Sequence, residues 1–533
     1  MKKFFKKVAC LLISGVFVIS ASACSGGLFG SNSDALSIRV ANVGFGTNWL
    51  YSIADAFEQI YDCEVEIKPT VIIDEDLIKV ETDYQMEDLI FSDGTGKVDD
   101  VIRAGKVIPI DDVWADTPEG EDETIEEKIW RDYNLLYKDP DGHYYSMPSN
   151  ISLGGLAYNK TSIDKVLGEG NWELPTTTDE VLEIANRMKE AGHWGFSWST
   201  LNPYWSCLES WASQYNGIVA SNYLHDGYYY DSATEEWKFS QRGECLDQDI
   251  GKLRMYEAIY EMIHKEYGLS STYCSSMNYM QCQAAFAGMG YKPADSRLVA
   301  FCPNGNWLYE ESQLDFEYTK SEIGFFVPVI SAIVEKCSFY EEKGTDYYTL
   351  SEAKRKVYDD ALSEIIRGLQ AGQTITTVGG FDVTAADIEL IEEAMKLRAT
   401  KTQSKIIIPK NARHVELAKE FLKFFASDYA GQIYSRVTHA VSPFYYDVVP
   451  MGESATLFDR DSYEMLKTGE VCGTGRATPL SYAYGLKFEA IFFDSDDKNI
   501  NTPTNLWAHC NKQNKNNWKN LVILAGLKDL LEE

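Results

Sequence analysis

The chain has 533 residues, too many for one ordinary hydrophobic core, so two or more lobes are expected. With 45% hydrophobic and 24% charged residues it reads as a soluble globular protein. Its 49 basic and 81 acidic residues give a net charge of −32, a field that repels phosphate backbones and anionic head groups, so no nucleic-acid partner is expected.

At the amino terminus Lys2, Lys3, Lys6 and Lys7 precede an apolar run, Val8 to Ile19, that is short for a membrane span. Ala21-Ser22-Ala23 then precedes Cys24, which predicts a signal peptide over residues 1–23. Removing its four lysines leaves 45 basic residues against 81 acidic, a net charge of −36. The same site resembles a bacterial lipobox, with Ala21 where a large aliphatic residue is usual. In that reading Cys24 is lipidated, and residues 24–36 tether an exported protein to the outer face of the cytoplasmic membrane. Nine cysteines remain beyond Cys24, an odd number without C-x-x-C spacing, so neither a disulfide framework nor a zinc site is signalled.

Further along, Ser37 to Val43 reads as a strand followed by an amphipathic helix whose Leu50, Ile53, Ala54, Phe57 and Ile60 form an apolar stripe. Extended pieces at Cys63 to Thr70, Gln85 to Phe91 and Ile108 to Ile110 continue an α/β pattern. In such sheets ligands sit beyond the carboxyl ends of the strands, which makes Gly44 to Trp49 and Ser92 to Gly94 candidate cleft walls. Ser146 to Lys160 reads as a loop entering a short apolar strand. Pro148 biases Met147 to an extended conformation and Gly154-Gly155 permits bends. This stretch fits a crossing between lobes, and equally an internal strand of a single α/β domain.

Thr177 and Glu180 match a capping box, with Val181, Leu182, Ala185 and Met188 on the apolar face and Gly192 at the end. Helices are predicted at Leu253 to Tyr267, Met280 to Ala287, Ser351 to Gln370, Ala385 to Leu397 and His414 to Ser427. Strands are predicted at Leu298 to Phe301, Ile323 to Ile330 and Lys405 to Pro409. Asn511 to Asn517 reads as a polar stretch before a short terminal helix.

Several segments, in order, resemble the extracellular solute-binding proteins, family 1, the sugar-binding components of bacterial ABC importers. They include the strand and helix ending Ala56-Phe57-Glu58-Gln59 before Val65-Glu66, then Gly105-Lys106-Val107-Ile108-Pro109-Ile110-Asp111-Asp112, and Asp141 to Pro148 running into Gly155-Leu156-Ala157-Tyr158-Asn159-Lys160. Leu174 to Glu180, Phe286-Ala287-Gly288 leading to Gly305-Asn306-Trp307, and Ile407 to Ala412 followed by Glu416 to Leu422 complete the set. About seventy residues between Ile330 and Thr400 are extra, and the region after Tyr446 aligns with little. The resemblance implies a periplasmic-binding-protein-like α/β fold, two lobes joined by hinge segments with a ligand cleft between them. Residues 37–150 and 322–436 would form one lobe, and residues 151–321 and 437–533 the other. It also implies a monomeric receptor that closes on a carbohydrate and hands it to an ABC permease, without a cofactor.

A sugar site needs flat apolar faces for the ring and fixed polar groups for the hydroxyls. Trp307, which follows a strand and a Pro/Asn/Gly turn, is the leading candidate. Trp49, Trp205 and Trp211 are further candidates, with core packing as the alternative. Asn306, Asn150, Ser149 and Asp93 could supply hydrogen bonds, with turn capping as the alternative. Catalytic and metal sites are not predicted. Gly44-Phe45-Gly46 lacks the third dinucleotide-binding glycine, Gly195 to Ser199 lacks the last glycine of a nucleophile elbow, and Asp494 to Lys498 breaks the calcium-loop pattern. A surface glycan hydrolase and a ligand sensor for a membrane signalling protein are the alternative functions.

Overall fold

The computed structural model describes residues 35–71, 73–82, 87–92, 97–130, 137–139, 141–201, 204–292, 295–399, 404–445, 455–472 and 478–532. The predicted signal peptide, Cys24 and Asp93 lie outside the described residues.

In chain order, the elements that position the site are β1 (Leu36–Ala41), α1 (Asn48–Tyr61), β2 (Val65–Thr70), β3 (Leu89–Phe91), β4 (Gly154–Asn159), α2 (Thr178–Glu190), β5 (Trp194–Phe196) and α3 (Ile250–Ile263). They continue as β6 (Val299–Gly305), α4 (Leu308–Thr319), β7 (Ile323–Phe326), α5 (Glu352–Gln370), β8 (Ile406–Ile407), α6 (Val415–Phe425), α7 (Asp428–Thr438), α8 (Leu457–Thr468) and α9 (Pro503–Asn516).

Two four-stranded sheets result. The first has the order β8-β3-β1-β2, with β1 parallel to β2 and β3, and β8 antiparallel to β3. The apolar stripe of α1 covers it. Phe57 sits in that stripe and meets Phe421 of α6 edge-on at 5.0 Å. The second sheet has the order β5-β6-β4-β7, with β4 antiparallel to both neighbours. β3 and β7 are buried along their whole length, which matches their continuous apolar runs Leu89–Phe91 and Ile323–Phe326. Among the described residues no helix is long and apolar enough to cross a membrane.

The resemblance assigned residues 322–436 to the first lobe, and here the strand pairing differs. β7 pairs with β4 from Leu156 opposite Phe326 to Asn159 opposite Ile323, so it belongs to the second sheet. The extra segment that follows packs there too. Arg355 of α5 makes paired bonds to Asp179 of α2 and to Glu261 of α3. Asp359 accepts from Thr177 Oγ1 at 3.0 Å and from Ser331 Oγ at 2.7 Å. The chain rejoins the first sheet only at Ser404 and β8.

Local signals fared well where the bonds are local. Thr177 caps α2 by accepting from Glu180 N–H, and Gly192 follows the helix at φ +84°. The Glu180 carboxylate, however, reaches Thr176 N–H instead of completing the box on Thr177. α9 runs through the polar stretch that starts at Asn511. Asn511 donates to Leu246 C=O, and Asn514 exchanges bonds with the Tyr484 backbone, so the buried amides are satisfied by other elements.

Candidate functional site

The carboxyl ends of β1 and β6 face each other, one from each sheet. Beyond β1, Gly44 (φ +50°) and Gly46 (φ +65°) shape a tight loop leading into α1. Beyond β6, Trp307 stands at the amino end of α4. A Cβ on Gly44 would lie 3.8 Å from Trp307 Cβ, and one on Gly46 would lie 3.7 Å from Glu310 Oε1. The two lobes therefore touch at this point, with Trp307 and Glu310 on one side and a bare glycine loop on the other.

Trp307 is held by its neighbours in sequence and space. Its six-membered ring folds back over Gly305, where any Cβ would overlap it. Tyr204 meets it edge-on at 6.0 Å, and the residue is 7% exposed. One turn into α4, burial pushes the Glu310 and Glu311 carboxyls above the usual range, Glu311 to about 7. Gln283 offsets part of the Glu311 shift by donating to its carboxylate at 2.7 Å, and Ser312 Oγ in turn donates to Gln283. His439, at the left-handed end of α7 in the first lobe, lies over Tyr309 of α4 at 4.6 Å and contacts Asp459 of α8 at 3.3 Å. The junction thus combines two aromatic side chains, two hard-to-ionise carboxyls and an amide, the mixture of flat faces and fixed polar groups that polyhydroxylated solutes need.

The remaining predicted site residues lie elsewhere. Trp49 is buried in the first lobe, its Nε1 donating to Gly46 C=O at 3.0 Å and its ring against Tyr434, Phe425 and Phe91. Trp205 and Trp211 are fully buried in the second lobe. Trp205 packs on Phe196, and Trp211 donates to Pro328 C=O. These three rings have no free face, so each is a core residue in this structure.

Asn306 is also fully buried. Its amide accepts from Leu153 N–H at 3.0 Å and donates to Ile151 C=O at 2.9 Å, which ties the crossing strand to β6. Asn150 bonds Ser404: its N–H donates to Ser404 Oγ at 3.0 Å, and Ser404 Oγ donates back to its carbonyl at 3.2 Å. Residues 148–153 and the return at residue 404 are therefore two crossings stapled to each other, with buried Ser149 beside them. Glu310, Glu311, Gln283, Tyr204 and His439 were not predicted. Glu310 and Glu311 lie three and four residues after Trp307, the helical spacing that puts them on its face, and that was the available signal.

A cavity of about 360 Å³ lined by Asp360, Ser363, Glu364, Arg367, Gly368 and Gln373 opens on α5, away from the interlobe junction. Its lining is polar and lacks an aromatic face, so we place the candidate site at the junction. Among the described residues no three His, Cys, Asp or Glu side chains gather as a metal site requires.

Residues 46–241 match the model of the bacterial extracellular solute-binding protein family. Solved structures share the fold over nearly the whole chain. The GacH receptor of Streptomyces glaucescens, solved unliganded and with acarbose, aligns with a TM-score of 0.56 at 13% identity, over 92% of this chain and 99% of its own. The bacterial solute receptor AcbH, described as exclusive for β-D-galactopyranose, aligns at 0.52 and 13% identity, over 92% and 99%. RafE in complex with raffinose aligns at 0.52 and 14% identity, over 90% and 100%. No curated protein sequence matches the chain. Residues 46–241 are thus similar to the bacterial extracellular solute-binding proteins, and the fold shared with the three solved structures extends over the rest of the chain.

Proposed function

We propose that this protein is an exported receptor that binds a carbohydrate between its lobes and delivers it to an ABC permease. The observation that carries the reading is Trp307 at the point where the lobes meet, with Tyr204, Glu310, Glu311 and Gln283 around it. The ligands named for the three similar structures, β-D-galactopyranose, raffinose and acarbose, support the choice of a sugar. Trp307 would stack on a pyranose ring, and the carboxyls and the amide would bind its hydroxyls. Export, anchoring through Cys24 and action as a monomer belong to the same proposal. Closure about the crossings at residues 148–153 and 404 would sequester the ligand, as in other hinge-closing binding proteins. Because Glu310 and Glu311 are neighbours on one helix, they do not face each other across a glycosidic bond, which favours a receptor over a hydrolase.

Titration calorimetry against galactose, raffinose and maltodextrins tests the reading. Saturable binding of one of them without turnover is the expected result. Silence across sugars, with a clear response to peptides, would overturn the carbohydrate assignment.

A further inference from the structure

The acid-rich composition lapses at one end of the chain. Residues 498–528 hold Lys498, Lys512, Lys515, Lys519 and Lys528 and no Asp or Glu, in a protein with 81 acids. Among the described residues Lys515 alone of the five is ion-paired, with Asp247. α10 (Trp518–Leu524) lies in this stretch, and its side chains divide at helical spacing into an inner and an outer face. On the inner face Trp518, Leu521 and Val522 are buried against Leu224, Cys245 and Leu246, and Trp518 Nε1 donates to Ser240 C=O at 2.7 Å. The outer face carries exposed Lys519, Ile523 one turn on, and Leu524 beside it. Ile523 is 42% and Leu524 54% exposed. Past Gly526 (φ +74°) the turn Lys528–Leu530 adds an exposed lysine and a leucine 42% exposed. Its backbone is held in place by Gln241 Nε2, which donates to Leu530 C=O at 3.1 Å.

We propose that this corner of the second lobe is a docking surface for an anionic phospholipid membrane. Lys519 and Lys528 meet the lipid phosphates, while Ile523, Leu524 and Leu530 enter the boundary between head groups and acyl chains, as on interfacial helices. Charge complementarity selects this occupant. A second copy docking through the same patch would set lysine against lysine. The net charge of −32 does not forbid the contact, because fields from distant acids are screened over about 8 Å at physiological salt and the charges at the contact decide. Asp529 and Glu532 follow in the terminal residues and offset part of the positive charge, whereas Asp247 is already spent on Lys515. A receptor held by a lipid at Cys24 needs only weak docking, since a tether makes the second contact intramolecular in effect. The inference rests on the proposed export for the presence of a membrane, and not on the sugar.

The chain from residue 24 onward, carrying Cys24→Ser so that no lipid is attached, is floated with vesicles of phosphatidylcholine alone and of phosphatidylcholine mixed equally with phosphatidylglycerol. Binding to the anionic vesicles at low salt, at least tenfold above the neutral ones and falling as salt is raised, is expected. Lys519→Glu with Lys528→Glu should lower the partition coefficient tenfold or more, and Ile523→Ser with Leu524→Ser should lower it severalfold. All four side chains are exposed, so Tm should stay at the parent value. Lys396→Glu with Lys410→Glu makes the same charge change at exposed positions elsewhere and should leave binding as in the parent. No binding to anionic vesicles, equal binding to neutral ones, or the same loss in both lysine pairs would overturn the proposal. So would a dimer in light scattering that Ile523→Ser with Leu524→Ser disperses, since a second copy would then cover the patch. None of these readouts needs a sugar, so their failure and that of the carbohydrate reading are distinguishable.

Discussion

Trp307 and Trp49 are both buried, 7% and 3% exposed, but against different neighbours, and the difference can be measured. Trp49 is enclosed by Phe91, Phe425 and Tyr434, so Trp49→Ala should cost about 3–5 kcal/mol of stability, read by denaturant unfolding. Trp307 lies against a glycine loop of the other lobe, so Trp307→Ala should cost less stability and weaken sugar binding tenfold or more by calorimetry. If Trp307→Ala binds like the parent, the stacking role is lost. A second residue-scale prediction concerns Asp461 of α8, which accepts from Phe325 N–H at 2.9 Å and Tyr158 O–H at 3.2 Å, yet whose burial pushes its carboxyl up to about 6. Below pH 4 both the folded and unfolded chains hold this proton. Between about 4 and 6 only the folded chain holds it, so stability falls as pH rises, by up to about 3 kcal/mol in all. Asp461→Asn keeps an acceptor oxygen and does not titrate. Its Tm should therefore match the parent near pH 4 and exceed it at pH 7.5.

Among the elements, α5 shows how far the sequence could be read. Its helical pattern was legible because it is local: Tyr358, Leu362, Ile365 and Ile366 form a stripe at helical spacing. Its address was not legible, because Arg355 finds Asp179 across 176 residues, and no periodicity encodes that pairing. The same holds for β7, which is as apolar as any strand of either sheet and declares its partner only through register with β4. The candidate site divided along the same line. Trp307 stood out through the turn that presents it. Trp205 and Trp211 could not be told from it, since packing on both faces is a tertiary fact. Asn150 and Asn306 carry hydroxyl-binding chemistry, but here the Asn306 amide is spent on the crossing backbone and the Asn150 amide on the neighbouring Ser149 and Ser152 hydroxyls. Since Arg355 joins α5 to both α2 and α3, Arg355→Met should leave Asp179 and Glu261 as half-buried carboxylates without their cation. A loss of about 3–5 kcal/mol in urea unfolding is expected. A variant as stable as the parent would mean that the ion pairs merely repay their own desolvation.

At the scale of the whole molecule, the proposed closure requires that the contact between Gly44 and Trp307 be made and broken in use. It joins a loop with two left-handed glycines on one side to one ring and one carboxyl on the other, with the His439–Tyr309 contact nearby. The crossings, by contrast, are bound to each other through Ser404 and Asn150, which suits a pivot that stays intact while the far edges separate. A saturating sugar should then reduce the radius of gyration seen by small-angle scattering. Gly44→Asn makes the test specific. Asparagine tolerates the φ of +50° better than other side chains do, so the fold and Tm should be retained. Its amide, however, would stand in the space that Trp307 approaches and hold the lobes apart. The variant should bind sugar at least tenfold more weakly and show a smaller contraction at saturation, because ligand can shift the lobes only by its differential affinity for the closed form. Parent-like affinity together with a parent-like contraction would show that closure does not pass through this contact, and the pivot would have to be sought elsewhere.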